Sequence, residues 1–155
     1  MSKIKITLAI AASYFIFAIL LNSVGTVILQ AINTLGVSKT EASVLEGFKD
    51  LSIAIMSFVV ASFIPRLGYK LAILLALIVV AIACLSTAVI SDFYMFKVLF
   101  AAVGCGFAVV KVSVYSIIGQ VTEDANSHSS LLNTIEGIFM VGVLSGYWVF
   151  TAFID

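Results

Sequence analysis

Five long apolar runs, separated by short polar breaks, organise the chain. They span Ile6–Ile32, Val44–Ile64, Leu71–Ile90, Phe93–Val121 and Leu131–Ile154. Each holds about 20 or more residues, and at about 1.5 Å per helical residue each crosses the roughly 30 Å hydrocarbon core of a bilayer. No segment alternates polar and apolar residues, which excludes a β-barrel. The pattern therefore predicts an all-α membrane protein of about five transmembrane helices, a single helical bundle over residues 1–155. The breaks Asn33–Ser43, Pro65–Lys70, Ser91–Asp92 and Thr122–Ser130 are expected as loops or turns, and the short ones imply antiparallel neighbours. A signal-peptide core runs only about 7–15 residues, so the first run reads as a span.

Composition strengthens this reading. The 155 residues are 63% hydrophobic and only 10% charged. A soluble domain carries about a quarter charged residues, so lipid must solvate most of this surface. The expected location is a cell membrane, with several passes (the inner membrane for a bacterial chain). The formal net charge of +0 offers no excess of basic residues for nucleic acid. Lys3, Lys5, Arg66 and Lys70 outweigh Lys39 and Lys97 in the distribution of loop charge, which predicts a cytoplasmic N-terminus. Glu123, Asp124 and His128 then lie inside, and Asp155 emerges outside. Cys84 and Cys105 fall within apolar runs and read as packing residues. With no CxxC or HExxH motif and no nucleophile–base pair, the sequence points to no metal, no cofactor and no enzyme.

Charge at membrane depth costs several kcal/mol unless it faces a cavity or a partner. Glu46, Lys49 and Asp50 share one helical face at i, i+3 and i+4. They read either as an interfacial cluster or as groups lining a cavity. Lys111 lies about 13 Å from the nearer end of its run, and Glu136 about 8 Å into the next. Their similar depth on adjoining antiparallel helices predicts a pair, structural or part of a site. Asn22, Thr26, Gln30 and Asn33 form a polar stripe on the first helix, suited to interhelical hydrogen bonds or to a solute path. Asn133 interrupts the fifth run beside Glu136. Gly142 and Gly146 form a small-xxx-small pattern, and Gly104 and Gly106 flank Cys105; both patterns favour close helix packing.

The layout resembles the N-terminal half of a major facilitator superfamily transporter. The turn after the second run matches that family's G-x-x-x-D-R-x-G-R/K-R/K motif at Arg66, Gly68 and Lys70. Ala61 and Pro65 stand where the family has glycine and aspartate. Gly104 and Gly106 resemble its glycine-rich fourth helix, without the arginine of that motif. Arg66–Lys70 with Gly104–Asn133 is similar to the sugar–proton symporter branch that includes fucose permease. The acids which that branch uses for protons on helices one and four have no counterpart here.

The resemblance implies secondary transport of a small polar solute, by part or a truncated form of such a transporter. Under that reading the polar and charged groups within the spans, Asn22, Thr26, Gln30, Glu46, Lys49, Asp50, Lys111, Asn133 and Glu136, line a substrate or proton pathway. Arg66, Gly68 and Lys70 become a gate that meets Glu123 or Asp124. The family has twelve helices in two halves, so the expected partners are the bilayer, the solute, and a missing second half or another copy. The alternative is a packing subunit or inactive fragment that transports nothing, its charges meeting a partner chain.

Overall fold

The computed structural model describes residues 3–90 and 92–154, and every element it describes is helical. The helices are α1 (Lys3–Asn22), α2 (Val24–Leu35), α3 (Lys39–Leu67), α4 (Tyr69–Val89), α5 (Phe93–Val121) and α6 (Ala125–Ile154). Among the described residues five spans are long and apolar enough to cross a membrane, with α1 and α2 joined as one from Lys3 to Leu35. The backbone stays hydrogen bonded through Ser23 between them. Its N–H donates to the Ile19 carbonyl at 3.0 Å, and its carbonyl accepts from Val27 at 2.9 Å. The Ser23 hydroxyl turns back to the Leu20 carbonyl at 2.6 Å.

The helices outrun the apolar segments at nearly every polar end. The expected break Asn33–Ser43 shrinks to Gly36, Val37 and Ser38. Gly36 closes α2 at φ 66°, a left-handed conformation that glycine adopts without steric cost. Ser38 then opens α3 with a reciprocal capping box: its hydroxyl accepts from the Glu41 N–H at 3.2 Å, and the Glu41 carboxylate accepts from the Ser38 N–H at 2.9 Å. The expected turn Pro65–Lys70 reduces to Gly68, at φ 89°, with Pro65 and Arg66 in the last turn of α3. The loop Thr122–Ser130 reduces to Thr122–Asp124, because α6 begins at Ala125. Apolar length bounds the part of a helix in lipid, whereas capping and turn residues bound the helix itself. Of the expected break Ser91–Asp92, Ser91 lies outside the described residues, as does Asp155.

Helix α5 is the centre of the bundle. It packs along α3 and α4, while α1 pairs with α6 and also touches α5. One apolar core joins Tyr14 and Phe17 of α1, Ala76 and Val80 of α4, Phe107, Val110 and Val114 of α5, and Ile135 of α6. Glycines set the closest crossings. A Cβ at Gly104 would strike the Lys49 carbonyl oxygen of α3, and one at Gly106 would lie 2.8 Å from Val80 Cγ2. At Gly142 a Cβ would lie 2.7 Å from Ala18 Cβ. Much of the outer surface is apolar, with Phe58 82% and Trp148 74% exposed. Burial cannot explain such side chains in water, but contact with acyl chains can.

Candidate functional site

Three helices converge on the Glu136 carboxylate. Glu136 lies eleven residues into α6, about 16 Å along the axis from the start of that helix. Its Oε1 accepts hydrogen bonds from the Tyr14 hydroxyl of α1 at 3.0 Å and from the Tyr115 hydroxyl of α5 at 2.6 Å. Tyr14 is 1% exposed, and its ring packs 4.6 Å from Phe139 and 6.1 Å from Phe107 between centroids. This aromatic floor fixes one phenol, while Tyr115 stands at the surface of α5 beside the acid. A carboxylate with two phenol donors is far better satisfied in an apolar medium than a bare one.

Lys111 does not pair with Glu136, contrary to the expectation from depth. Its Nζ lies 5.8 Å from the centroid of Phe107 and 5.7 Å from that of Tyr115, one helical turn to either side. The side chain is exposed and has no acidic partner among the described residues. The two groups do lie near each other, since Tyr115 contacts both. Depth gave no view of the two tyrosines, which occupy the same carboxylate oxygen. Lys111, Tyr115 and Glu136 nevertheless form one connected patch, since Tyr115 offers its ring to the cation and its hydroxyl to the acid.

The acidic–basic face of α3 stands apart, near the start of that helix. Lys49 Nζ lies 3.3 Å from Asp50 Oδ1 and 3.8 Å from Glu46 Oε1. Its side chain is 12% exposed, while those of Glu46 and Asp50 are 58% and 64% exposed. The lysine is the more buried member of the cluster, and its carboxylates remain at the surface.

The polar stripe of the first span divides. Asn22 Nδ2 donates to the Val143 carbonyl of α6 at 2.6 Å, an interhelical bond of the packing kind. Thr26 is half-buried, whereas Gln30 and Asn33 are exposed. Asn133 is exposed on α6, one turn before Glu136.

The gate residues are not brought together as expected. Gly68 makes the α3–α4 corner, with Lys70 in the first turn of α4. Arg66 is exposed and makes no ion pair with Glu123 or Asp124 among the described residues. Glu123 Oε1 instead takes Lys3 Nζ at 2.7 Å, and that lysine holds the Glu123 carboxyl below its usual range. Asp124 turns to the start of α6, where its Oδ1 accepts from the Ser127 N–H at 2.8 Å; bonds with Ser127 lower its pKa too. A cavity of about 620 Å³ at this end is lined by Ile6, Ser13, Tyr69, Lys70, Gln120 and Val121, so the start of α1, the α3–α4 corner and the end of α5 meet there.

Comparison with protein-family models, with curated proteins and with solved structures finds no match. No set of three or more histidine, cysteine or acidic side chains among the described residues is placed to hold a metal.

Proposed function

We propose that the chain serves secondary transport of a small polar solute, as a helical unit of a major facilitator-type transporter. The observation that carries this reading is the patch of Glu136, Tyr14, Tyr115 and Lys111. It joins three helices within apolar spans, where charge is costly unless it serves a water-filled path or a ligand. A carboxylate held by phenols is suited to exchanging a proton or accepting a hydrogen bond from solute. A lysine without an acidic partner is suited to meeting an anion. The resemblance of Arg66, Gly68 and Lys70 to the family's turn motif, and of Gly104 and Gly106 to its fourth helix, supports the same reading. In that family two halves rock about a central site, so a second half or a second copy would supply the opposing wall.

The test is solute binding and uptake by the purified chain. Thermal unfolding in nanodiscs is measured with sugars, amino acids, organic acids and inorganic phosphate, and uptake is followed in proteoliposomes under an imposed proton gradient. One solute class should stabilise the chain, and Glu136→Gln should remove the effect. A folded chain that neither binds nor moves any member of the panel would favour the packing-subunit reading, with Lys111 meeting a partner chain.

A further inference from the structure

We propose that Lys111, Tyr115 and Glu136 bind a small zwitterion of the α-amino-acid kind, with its carboxylate on Lys111 and its ammonium on Glu136. This inference rests on the reading of that patch as a solute site and adds the chemistry of the solute. Lys111 Nζ has the faces of Phe107 and Tyr115 within 5.8 Å but no carboxylate of the described chain. Cation–π attraction offsets only part of the cost of an ammonium at this depth. Glu136 commits Oε1 to Tyr14 and Tyr115, while no hydrogen bond reaches Oε2 among the described residues. The patch thus offers one positive donor over the Tyr115 ring and one anionic acceptor beside its hydroxyl.

Each competing solute class leaves one of these groups unanswered. A neutral sugar leaves the ammonium without a counter-charge. A phosphate dianion answers Lys111 but repels the Glu136 carboxylate, and like charges cost more as water is excluded. An amine without a carboxylate answers Glu136 and repels Lys111. A zwitterion satisfies both groups and leaves the patch with no net charge. The faces of Phe107 and Tyr115 beside the ammonium would suit a solute with an apolar body.

Equilibrium binding to the chain in phosphatidylcholine nanodiscs tests this, with the common L-α-amino acids, their amides, the matching 2-hydroxy acids and glucose as probes. At least one amino acid should bind saturably. Its amide, which lacks the carboxylate, should bind about 10- to 100-fold more weakly, the range of a lost charge-assisted contact. Lys111→Met should weaken binding by a similar factor, and Lys111→Arg should restore most of it. Thermal unfolding of each variant separates lost binding from lost fold. Equal affinity for amino acid and amide would overturn the zwitterion assignment. So would glucose binding that needs Glu136 but survives Lys111→Met, although the solute-site reading would then stand. Absence of binding by every probe to a folded chain would remove both.

Discussion

The Tyr115 hydroxyl donates to Glu136 Oε1 at 2.6 Å, and that single bond ties α5 to α6 at the level where Lys111 emerges. Few other contacts join these two helices. Tyr14 supplies the second donor to the same oxygen from α1. The carboxylate is therefore a knot among three helices as well as a group of the proposed site.

Removing either phenol should loosen that knot. Tyr14→Phe keeps the ring packed on Phe139 and deletes only the hydroxyl, so the loss isolates the hydrogen bond. A bond to a charged acceptor contributes about 1.5–3 kcal/mol, and interhelical bonds in membranes often less, so a cost of about 1–2 kcal/mol is expected. Unfolding in mixed detergent micelles measures it. In a double-mutant cycle with Glu136→Gln, the two changes should be non-additive. Strict additivity would mean that the bond carries no energy.

The glycines differ in what they should tolerate. Gly104 lies against the Lys49 carbonyl, so Gly104→Ala forces α3 away from α5 and should cost about 1–3 kcal/mol, as overpacking does. Gly137 has nothing within 4 Å of its Cβ position. Gly137→Ala should therefore leave stability unchanged or raise it by up to about 1 kcal/mol through helix propensity. Equal losses at both positions would contradict the crossing described at Gly104.

Much of the bundle was legible from the chain, and the reasons differ by feature. The span count followed from apolar length alone, since lipid admits few other solutions. The small-residue patterns correctly announced close packing, as Gly142 and Gly146 against α1 now show. The helix ends were less legible because Lys39–Ser43 and Ala125–Ser130 are polar yet helical. The Ser38–Glu41 capping box was present in the sequence and marks one of those ends. Partner choice was least legible. Topology and depth point Arg66 and Lys111 toward acids, but competition from Lys3, Tyr14 and Tyr115 depends on helix rotation, which periodicity alone leaves open.

The pair of Lys3 and Glu123 should reveal itself by titration more than by stability. Lys3 is the main reason that the Glu123 carboxyl lies below its ordinary value, through a hydrogen bond first and charge second. A depressed carboxyl contributes stability above its unfolded pKa, and the contribution is lost as pH falls through the folded value. The pair therefore helps hold the start of α1 to the end of α5 near neutral pH and lets go in acid. Lys3→Ala should raise the Glu123 pKa toward the ordinary carboxylate range, as read by carboxyl-carbon NMR. Because both side chains are well exposed, the change in unfolding stability should be small and should vanish in high salt. An unmoved Glu123 titration in Lys3→Ala would show that the pair does not form in solution.

Ser113 offers the cleanest case in which removing an atom should help. Its side chain is fully buried in α5, and its Oγ has no hydrogen-bond partner among the described residues. Other hydroxyls in the spans avoid that state by turning back on their own helix. Ser57 donates to Ile53 at 2.7 Å, Thr87 to Ala83 at 2.8 Å and Ser116 to Val112 at 2.8 Å. Ser113 makes no such bond, so its hydroxyl bears the cost of leaving water with nothing returned. Ser113→Ala removes that group and improves helix propensity while leaving almost the same volume. The variant should be more stable than the parent by about 1 kcal/mol, the lower end of the cost of an unsatisfied buried donor. Ser113→Val should separate this from simple apolar preference, because its added methyl crowds the tightly packed centre of α5 and should reverse the gain. Detergent unfolding of the three chains side by side makes the comparison. A clear loss of stability in Ser113→Ala would mean that the hydroxyl has a partner, such as a water held within the bundle.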